Sequence, residues 1–509
     1  MYRAITDLVR EHARQRPNHI ALVVGDTTVN YAELDALSDR VAASLQRDGI
    51  RSGEAIAICA DASIRYVTVF LGALRAGVAV VPLSTTMTPG ATRSLLADAQ
   101  ARLVFADATT FALVADRSAM RRCIALDDCA QDRAFSAWLI SEGASPLMLD
   151  IPAGATFNII YSSGTTGEPK GIVQSHGMRW AHVSRNAKFG FGFDTVSLLA
   201  TPLYSNTTLV VLFPTIAFGG TLVLAPKFDS AQYLTLAQEH RMTHTMLVPV
   251  QYQRIMALPQ FHEFDLSTSR MKFCTSAPFE PGLKADVLRR WPGGLVEFYG
   301  LTEGGGTCIL AAHEYPNKLH TVGRPAPGHD IRLIDEAGCE LPRGAVGEVV
   351  GRSAGMMTGY HRRPEKTREA EWFDDQGRRF IRTGDVGRFD EDGFLVLLDR
   401  KKDMVISGGF NIYPSDLEAV LLQHDDVSEV AVVGVPSRRW GETPIAFVVV
   451  RPGSTSTEAD MLRWVHTRVG KIQRLAHLQI VEELPRSAIG KVLKRELRQR
   501  HIASGLEPT

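Results

Sequence analysis

The segment that decides the fold is Ser162-Ser163-Gly164-Thr165-Thr166-Gly167-Glu168-Pro169-Lys170-Gly171, which directly follows the apolar, β-prone run 156–161. Glycines let the backbone approach a phosphate closely, hydroxyls and N–H groups donate to its oxygens, and a lysine adds positive charge. The order Pro169-Lys170-Gly171 departs from a Walker A loop, in which Gly-Lys-Ser/Thr opens a helix. We therefore predict a phosphate-binding loop of another type, the alternative being a flexible surface turn.

Upstream of this loop, helix and strand patterns alternate. Apolar residues recur at helical spacing over 34–45 and 64–74, each followed by a glycine that ends the helix. Continuous apolar runs at 54–59 and 78–81 predict buried strands. A strand–helix–strand order with fully apolar strands is typical of a parallel sheet, so we predict α/β architecture here.

Downstream, the pattern changes twice. From about residue 323, short strands predicted at 331–334, 348–351 and 394–398 alternate with Gly, Asp and Pro turns, which indicates a β-rich subdomain. The polar stretch 401–403 predicts a domain boundary, so we divide the chain into 1–400 and 401–509. The second part contains a predicted helix at 414–422, strands at 430–435 and 445–450, and a helix opening at 456 or 457.

Composition excludes several classes of protein. The 509 residues suggest about three domains, and 56 basic residues balance 56 acidic ones, which argues against a dedicated nucleic-acid or anionic-membrane binder. Six scattered cysteines without a CxxC pair suggest neither a zinc site nor a disulfide framework and favour a reducing cytosol. Residues 1–17 lack the apolar core of a signal peptide, and the apolar stretch 208–218 is too short to span a bilayer.

Two further motifs suit a nucleotide. In Glu297-Phe298-Tyr299-Gly300-Leu301-Thr302-Glu303, an aromatic ring could stack on a base, the threonine could contact a phosphate, and the last glutamate offers a hard oxygen to Mg²⁺. In Arg382-Thr383-Gly384-Asp385, a carboxylate after a glycine turn suits two ribose hydroxyls. The alternatives are an ordinary strand-to-loop segment for the first and a turn-capping aspartate for the second.

Two motifs near the C-terminus are ambiguous on their own. The charged stretch 399–403, followed by Ile406-Ser407-Gly408-Gly409, is equally compatible with a solvated linker. In Pro485-Arg486-Ser487-Ala488-Ile489-Gly490-Lys491, a lysine after a glycine turn can extend toward an anion, but an isolated exposed lysine carries no information.

Two other patterns are set aside. Residues 351–355 match the GxSxG nucleophile elbow, but an elbow must open a helix, and Gly359 and Pro364 follow too soon. His240 and His244 are four residues apart without an HExxH motif, so we interpret them as structural histidines rather than metal ligands.

The five motifs, in this order and spacing, resemble the adenylate-forming superfamily of acyl-CoA synthetases, peptide-synthetase adenylation domains and firefly-type luciferases, over nearly the whole chain. The resemblance implies an α/β fold. Its large N-terminal domain would contain two α/β sheet subdomains and a β-rich, barrel-like subdomain. A small, mobile α+β C-terminal domain would carry the catalytic lysine. The cofactor and co-substrates implied are ATP, Mg²⁺ and coenzyme A.

The resemblance also implies roles for individual residues. The catalytic residues would be Lys491, Thr302 and Glu303, with Glu303 binding Mg²⁺. ATP or AMP would be bound by Ser162, Ser163, Gly164, Thr165, Thr166, Gly167, Lys170, Ser276, Ala277, Pro278, Glu297, Phe298, Tyr299, Gly300, Asp385 and Arg400. The hinge residue would be Lys402, and the CoA contacts would be Gly408, Gly409, Trp440 and Arg474.

The acyl site departs from the usual family pattern. Small polar groups follow Tyr204 where relatives often carry histidine, and we expect the glycines at 304–306 to leave space in the pocket. The predicted pocket residues are Tyr204, Ser205, Asn206, Cys274, Thr275, Gly304 and Gly305. These residues favour a small or medium acyl, alicyclic or aryl acid.

The leading hypothesis is an ATP-dependent carboxylic acid–CoA ligase, an AMP-forming acid–thiol ligase. The absence of an appended carrier domain favours free CoA as the acceptor. One alternative is a stand-alone adenylation enzyme that loads a carrier protein, and another is a nucleotide-binding scaffold whose catalysis has lapsed. The expected partners are the acid, ATP and CoA, without nucleic acid or membrane insertion, and a homodimer is left open.

Overall fold

The computed structural model describes residues 2–114, 122–130, 134–162, 170–400, 403–407, 410–437, 440–470, 473–487 and 490–504, with the backbone alone at 122, 162 and 411. These residues form two compact units. The larger consists of Met1–Ile331 and Gly351–Ile381, and the smaller of Arg332–Val350 and Arg382–Thr509. The boundary expected after Arg400 stays a prediction.

Helices and strands are numbered in chain order. The helices are α1 (Ile5–Gln15), α2 (Tyr31–Arg47), α3 (Ile64–Arg75), α4 (Pro89–Asp98), α5 (Phe111–Val114), α6 (Phe135–Trp138), α7 (His176–Asn186), α8 (Asn206–Ala217), α9 (Ser230–Glu239), α10 (Pro249–Met256), α11 (Pro281–Arg290), α12 (Pro364–Glu369), α13 (Pro414–Leu421), α14 (Glu458–His466) and α15 (Lys494–Ala503). The strands are β1 (Ile20–Val24), β2 (Thr27–Asn30), β3 (Ala55–Cys59), β4 (Ala79–Pro82), β5 (Leu103–Ala106), β6 (Arg122–Ala125), β7 (Thr156–Ser162), β8 (Lys170–Ser175), β9 (Val196–Leu199), β10 (Thr221–Leu224), β11 (His244–Leu247), β12 (Met271–Cys274), β13 (Gly294–Leu301), β14 (Gly304–Ala311), β15 (Arg324–Pro325), β16 (Asp330–Ile334), β17 (Gly347–Arg352), β18 (Gly359–Tyr360), β19 (Glu371–Phe373), β20 (Arg379–Phe389), β21 (Leu395–Arg400), β22 (Val405–Ser407), β23 (Phe410–Ile412), β24 (Val427–Ser437), β25 (Gly441–Val450) and β26 (His477–Ile480).

One sheet of the larger unit contains the strands predicted around the phosphate loop. Its order among the described strands is β18-β8-β7-β4-β3-β5-β6, with β3 parallel to β4 and β5, and β4 parallel to β7. The Ser63 hydroxyl caps α3 by accepting from the Tyr66 N–H, and Gly77 follows the helix with a φ of +68°. The predicted parallel sheet is confirmed.

The second sheet of the larger unit has the order β15-β14-β13-β12-β11-β9-β10-β1-β2 within the described residues. Strands β9 to β13 run parallel, whereas β13 and β14 form an antiparallel hairpin. Residues 302 and 303 therefore lie in the turn of that hairpin. Buried aromatic and aliphatic side chains form a core that includes Phe70, Phe157 and Phe213.

The smaller unit contains a sheet of β22 to β26 with its own core. Strands β24 and β25 are antiparallel, and β26 adds parallel to β25. Leu417 of α13 and Met461 of α14 are buried in that core. Helix α14 begins after Thr457, in agreement with the predicted helix opening, and the Thr457 hydroxyl accepts from the Asp460 N–H in a capping box.

The predicted mixed α/β fold with several sheets is confirmed. All six cysteines are free. Within the described part of the chain, no helix has the length and apolar character needed to cross a membrane.

Candidate functional site

The phosphate-loop segment joins two antiparallel strands. In the β7–β8 pair, Ser162 lies opposite Lys170 and Tyr161 lies opposite Gly171. A strand, and not a helix, therefore begins at Lys170, which agrees with the exclusion of a Walker A loop. Most of the predicted loop lies outside the described residues, namely Ser163, Gly164, Thr165, Thr166 and Gly167.

Tyr360 joins the phosphate loop to the second motif. The Lys170 ammonium lies over the Tyr360 ring, with Nζ 5.1 Å from the ring centroid, and the Tyr360 hydroxyl donates to Glu303 Oε1 at 2.8 Å. Strand β18 positions the ring because Tyr360 pairs with Ile172 of β8. Burial, and then the Glu303 charge, raise the pKa of Tyr360, so the phenol stays protonated as a donor. The sequence motifs omit Tyr360.

A buried arginine is linked to the β13–β14 turn through a glutamine side chain. Arg179 of α7 is only 1% exposed and donates through Nη2 to Gln174 Oε1 and to Asn206 Oδ1, the latter at 3.0 Å. Gln174 Nε2 in turn donates to the Thr302 carbonyl at 2.7 Å. Burial lowers the pKa of Arg179 to about 9. The network links predicted acyl residue Asn206 to predicted catalytic residue Thr302.

The predicted adenine segment is held by hydroxyl contacts. Ser276 has a left-handed φ of +84°, and its Oγ lies 2.5 Å from Thr207 Oγ1. Thr275 Oγ1 donates to the Phe298 carbonyl at 2.8 Å, which fixes the segment against β13. Tyr299 is 9% exposed. The neighbouring predicted residues range from buried Cys274 to exposed Pro278, with Ala277 intermediate and Gly300 exposed.

Glu297 uses its carboxylate in a buried ion pair. Lys284 Nζ lies 2.5 Å from Glu297 Oε2, and both side chains are almost fully buried. Lys284 also donates to the Leu319 carbonyl at 2.7 Å. Burial raises the pKa of Glu297, while the Lys284 charge opposes that shift. The carboxylate therefore binds helix α11 to strand β13.

The expected space at the glycines after Glu303 is absent, so that expectation is wrong. A Cβ on Gly304 would collide with the Gly355 carbonyl, and one on Gly305 would lie 2.8 Å from the Gly351 carbonyl. Gly304 and Gly305 also have φ values of +75° and +89°. These glycines permit close backbone packing and do not enlarge a pocket.

The remaining predicted acyl residues lie at the start of α8. The Ser205 hydroxyl accepts from the Thr207 N–H at 3.3 Å and thereby caps the helix. Burial raises the pKa of the preceding Tyr204. The polar residues that replace the usual histidine thus stabilise the helix terminus.

The smaller unit brings together the two residues expected at the ribose. Asp385 of β20 lies opposite Arg400 of β21, and Arg400 Nε donates to Asp385 Oδ1 at 2.8 Å. Asp385 is 7% exposed. Gly384 has a φ of +69°, which provides the predicted turn-like backbone inside β20.

Lys491 lies at the end of a tight turn. The Ser487 N–H donates to the Lys491 carbonyl at 2.8 Å, and Gly490 has a φ of +75°. Arg486 anchors the turn because it donates to the Gly490 carbonyl at 2.8 Å and pairs with Glu429 at 2.6 Å. Among the other C-terminal predictions, Trp440 is about half exposed and Arg474 is exposed. Lys402, Gly408 and Gly409 lie outside the described residues.

The two patterns that were set aside have structural roles. No helix follows residues 351–355, and Ser353 Oγ donates to the Gly305 carbonyl. His244 is buried in β11, with Nε2 2.9 Å from the Phe189 carbonyl oxygen. No cluster of three or more His, Cys, Asp or Glu side chains suited to a metal ion occurs among the described residues.

Comparison with known proteins identifies the family. Residues 9–361 match the AMP-binding enzyme family, and residues 416–491 match the AMP-binding enzyme C-terminal domain. The chain is 33% identical to a feruloyl-CoA synthase from Amycolatopsis sp, over 96% of this chain and 97% of the relative. It is 31% identical to the fatty acid–[acyl-carrier-protein] ligase ScoC of Streptomyces coeruleorubidus, over 96% and 95% of the two chains.

The fold has close structural relatives. ATP-bound MatB from Rhodopseudomonas palustris aligns with a TM-score of 0.88 at 29% identity, covering 98% of this chain and 99% of that one. Together, the family matches, the full-length relatives and the arrangement of the five motifs lead to one conclusion. The chain belongs to the AMP-binding enzyme family, as the resemblance to the adenylate-forming superfamily predicted.

Proposed function

We propose that this chain is an ATP-dependent carboxylic acid–CoA ligase. The acid would attack the α-phosphorus of ATP to give an acyl-adenylate and pyrophosphate, and the CoA thiol would then displace AMP to give an acyl-CoA. The names of relatives that span nearly the whole chain support the proposal, including a feruloyl-CoA synthase and an indoleacetate–CoA ligase.

One observation of the structure carries the proposal. Lys170 and Glu303, which come from separate motifs, both contact Tyr360, whose ring lies beneath the Lys170 ammonium and whose hydroxyl donates to Glu303. A triphosphate needs a positive charge beside its oxygens, which the lysine could supply. The metal bound to the triphosphate needs a hard oxygen ligand, which the carboxylate could supply. The arrangement therefore supports a nucleotide triphosphate site at the β13–β14 turn.

The residues present suit magnesium bound together with ATP. Glu303 Oε1 accepts from Tyr360, and no described residue donates a hydrogen bond to Oε2. Magnesium in such sites is held by one or two carboxylates together with substrate phosphates, so a single glutamate is sufficient. We propose Glu303 as this ligand. The ion would supply charge neutralisation on the phosphates.

The first half-reaction needs positioning more than proton transfer. The attacking carboxylate is already ionised near neutral pH, so no general base is required. We propose that Thr302 contacts the α-phosphate, that Lys170 and its loop hold the β- and γ-phosphates, and that Asp385, oriented by Arg400, binds the ribose hydroxyls. Lys491 would stabilise the charge that develops as pyrophosphate leaves.

The adenine and acyl sites complete this proposal. The base would lie against Tyr299, with Phe298, Gly300 and the segment 276–278 around it. The acid would lie near Asn206 and Thr275, with Ser205 and Tyr204 at the start of α8. We propose a small or medium acyl, alicyclic or aryl acid.

The second half-reaction needs other groups near the same carbonyl carbon. A rotation about Lys402 would exchange the groups that face the adenylate, which is a common way to separate two steps. We propose that Gly408 and Gly409 then line the pantetheine path, and that Trp440 and Arg474 contact the CoA nucleotide. We also propose a cytoplasmic location, which is inferred from the six free cysteines. A homodimer is proposed as the oligomeric state.

The proposal is tested with purified full-length protein, ATP, Mg²⁺ and a panel of carboxylic acids. Acid-dependent exchange of pyrophosphate into ATP should appear with at least one acid, and AMP release should increase when CoA is added. If no acid in the panel yields AMP, the protein is not the proposed ligase. That result would favour a nucleotide-binding scaffold whose catalysis has lapsed.

A carrier-loading adenylation enzyme is the second candidate, and the similarity to ScoC favours it. The two functions share the first half-reaction and differ in the thiol acceptor. Trp440→Ala should raise the KM for CoA if CoA is the acceptor. Absence of CoA turnover, together with labelling of a carrier protein by the acid, would identify the second candidate instead.

A further inference from the structure

A cleft of about 410 Å³ in the larger unit has two cationic side chains and two imidazoles in its lining, beside small residues. His182, Arg185 and Lys188 come from α7 and the residues that follow it, and His329 comes from the loop after β15. None of the described residues that line the cleft is acidic. Its volume lies within the range of about 300–1,000 Å³ that is usual for small-molecule sites.

Arg185 provides a charge that has no counter-ion among the described residues. No described residue forms an ion pair or hydrogen bond with it, and its Nε is buried without a partner. The guanidinium lies over the Phe298 ring at 5.6 Å, a cation–π contact that does not satisfy its N–H donors. Burial lowers the pKa of Arg185 to about 10, so the group is still charged at neutral pH.

The two imidazoles are neutral hydrogen-bonding groups. The Thr307 N–H donates to His329 Nδ1 at 3.0 Å, so the neutral ring carries its proton on Nε2. Burial, and then the charges of Arg185 and Lys188, lower the pKa of His329 to about 4. His182 is 8% exposed, its Nδ1 has no partner among the described residues, and burial holds its pKa well below the usual range.

The positive charges of Arg185 and Lys188 repel each other, and a bound anion would reduce this repulsion. Arg185 lies close enough to lower the pKa of Lys188, after the larger effect of burial. The Glu314 charge opposes this shift at Lys188, but no acidic side chain of the described residues lines the cleft itself, where a carboxylate could accept hydrogen bonds from several of these groups together. A guanidinium binds a carboxylate in a bidentate manner, with stronger hydrogen bonds than those between neutral groups.

Two contacts place this cleft beside the β13–β14 turn. Gly355, which lines the cleft, packs so closely on Gly304 that a side chain on Gly304 would collide with its carbonyl. His329, on another wall, accepts from the N–H of Thr307 in β14. Both contacts involve residues that shortly follow Glu303, so the cleft borders the region in which an acid would meet ATP.

We propose that the cleft binds a second anionic group of the acid substrate, so that the acid activated by this enzyme is a dicarboxylate. One carboxylate reacts at phosphorus, and the other remains ionised against Arg185 and Lys188, with hydrogen bonds from the imidazoles. This inference rests on the proposed ligase function and narrows its substrate class.

The test compares acids that differ only in the second carboxylate. Adipate is compared with hexanoate, and terephthalate with 4-methylbenzoate, by AMP release in the presence of ATP and CoA. In the unmodified enzyme we expect kcat/KM for at least one dicarboxylate to exceed that of its partner by about 10- to 100-fold, the usual value of a charged hydrogen bond. Arg185→Met should reduce this ratio to about one, while Arg254→Met, at an exposed helical arginine, should leave it unchanged.

A ratio of one or less in the unmodified enzyme, or a ratio unchanged by Arg185→Met, would overturn the inference. A higher KM for CoA in Arg185→Met with an unchanged acid ratio would also overturn it, because the cleft would then hold a CoA phosphate. If no acid of either kind yields AMP, the ligase proposal fails. The anion subsite is then tested separately by calorimetric titration with adipate. Arg185→Met should bind adipate at least 10-fold more weakly than the unmodified protein does. Equal affinity of the two proteins, or no binding to either, would refute the subsite.

Discussion

At the residue scale, the candidate site depends on a few side chains that connect distant segments. Tyr360 spans Lys170 and Glu303, and Arg179 reaches the Thr302 carbonyl through Gln174. Lys170, Thr302 and Glu303 could be proposed from the sequence because phosphate and magnesium chemistry needs those residue types in short motifs, and their roles stay predictions. Tyr360 and Arg179 could not be identified in this way, because their contacts depend on strand pairing and burial, which a short sequence motif does not predict.

Tyr360 is expected to act as a positioning residue for Glu303. Tyr360→Phe keeps the ring beneath Lys170 but removes the donor to Glu303, a hydrogen bond to a charged group worth about 1.5–3 kcal/mol. We expect acid-dependent pyrophosphate exchange to fall about 10- to 100-fold, since each 1.36 kcal/mol is a factor of ten. The half-saturating magnesium concentration should rise while the KM for the acid stays nearly constant.

A matched control is Tyr315→Phe, which alters a partly exposed tyrosine elsewhere in the larger unit. It should retain the unmodified exchange rate and magnesium dependence. An unchanged magnesium dependence in Tyr360→Phe would contradict the positioning role.

His176 predicts how stability depends on pH. It is 4% exposed at the start of α7, and burial lowers its pKa to about 4 from an unfolded value near 6.5. Between these values the unfolded chain binds more protons, so stability should fall as the pH decreases from about 6.5 to 4, by at most about 1.4 kcal/mol per pH unit. His176→Phe should remove this contribution.

The measurement is urea unfolding at pH 7 and pH 5, with His262→Phe at an exposed position as the control. The unmodified protein should lose about 1–2 kcal/mol more than His176→Phe between the two pH values. Equal losses in both proteins would show that His176 does not titrate as a buried neutral group.

At the element scale, the helices and strands that the sequence analysis predicts are present in the structure, but their contacts could not be predicted. The predicted helix at 64–74 is α3, and the predicted strand at 156–161 is β7, each with its boundary shifted by one residue at the C-terminal end. The side-chain roles within an element were harder to predict. Glu297 belongs to a nucleotide-like motif, yet its carboxylate pairs with Lys284 of α11, a contact set by how that helix packs on β13.

Removing one partner of this buried pair should destabilise the larger unit. Glu297→Gln leaves the Lys284 charge uncompensated, for which we expect a loss of about 3–5 kcal/mol in the free energy of unfolding. Urea unfolding followed by tryptophan fluorescence measures this loss. The double variant Lys284→Met with Glu297→Leu should be more stable than Glu297→Gln, because it removes both charges. An unfolding midpoint unchanged in Glu297→Gln would contradict a structural role for the pair.

At the scale of the whole molecule, the chain divides into two compact units that carry different predicted groups. Lys170, Glu303 and the basic cleft belong to the larger unit, whereas Asp385, Arg400 and Lys491 belong to the smaller one. The family could be predicted from five short motifs because their chemistry fixes both composition and order. The acyl pocket could not be predicted in the same way. A run of glycines suggests free space, and only the structure shows that Gly304 packs against Gly355.

The central claim is that this protein activates a carboxylic acid with ATP and that Lys491 is needed for the first half-reaction. The most direct test is acid-dependent pyrophosphate exchange by Lys491→Ala, with ATP binding followed by calorimetry and Lys227→Ala, at an exposed lysine, as the control. We predict that Lys491→Ala lowers the exchange rate by about 10²–10³-fold while ATP affinity is largely retained, and that Lys227→Ala behaves as the unmodified protein. Exchange by Lys491→Ala at the unmodified rate would contradict the account.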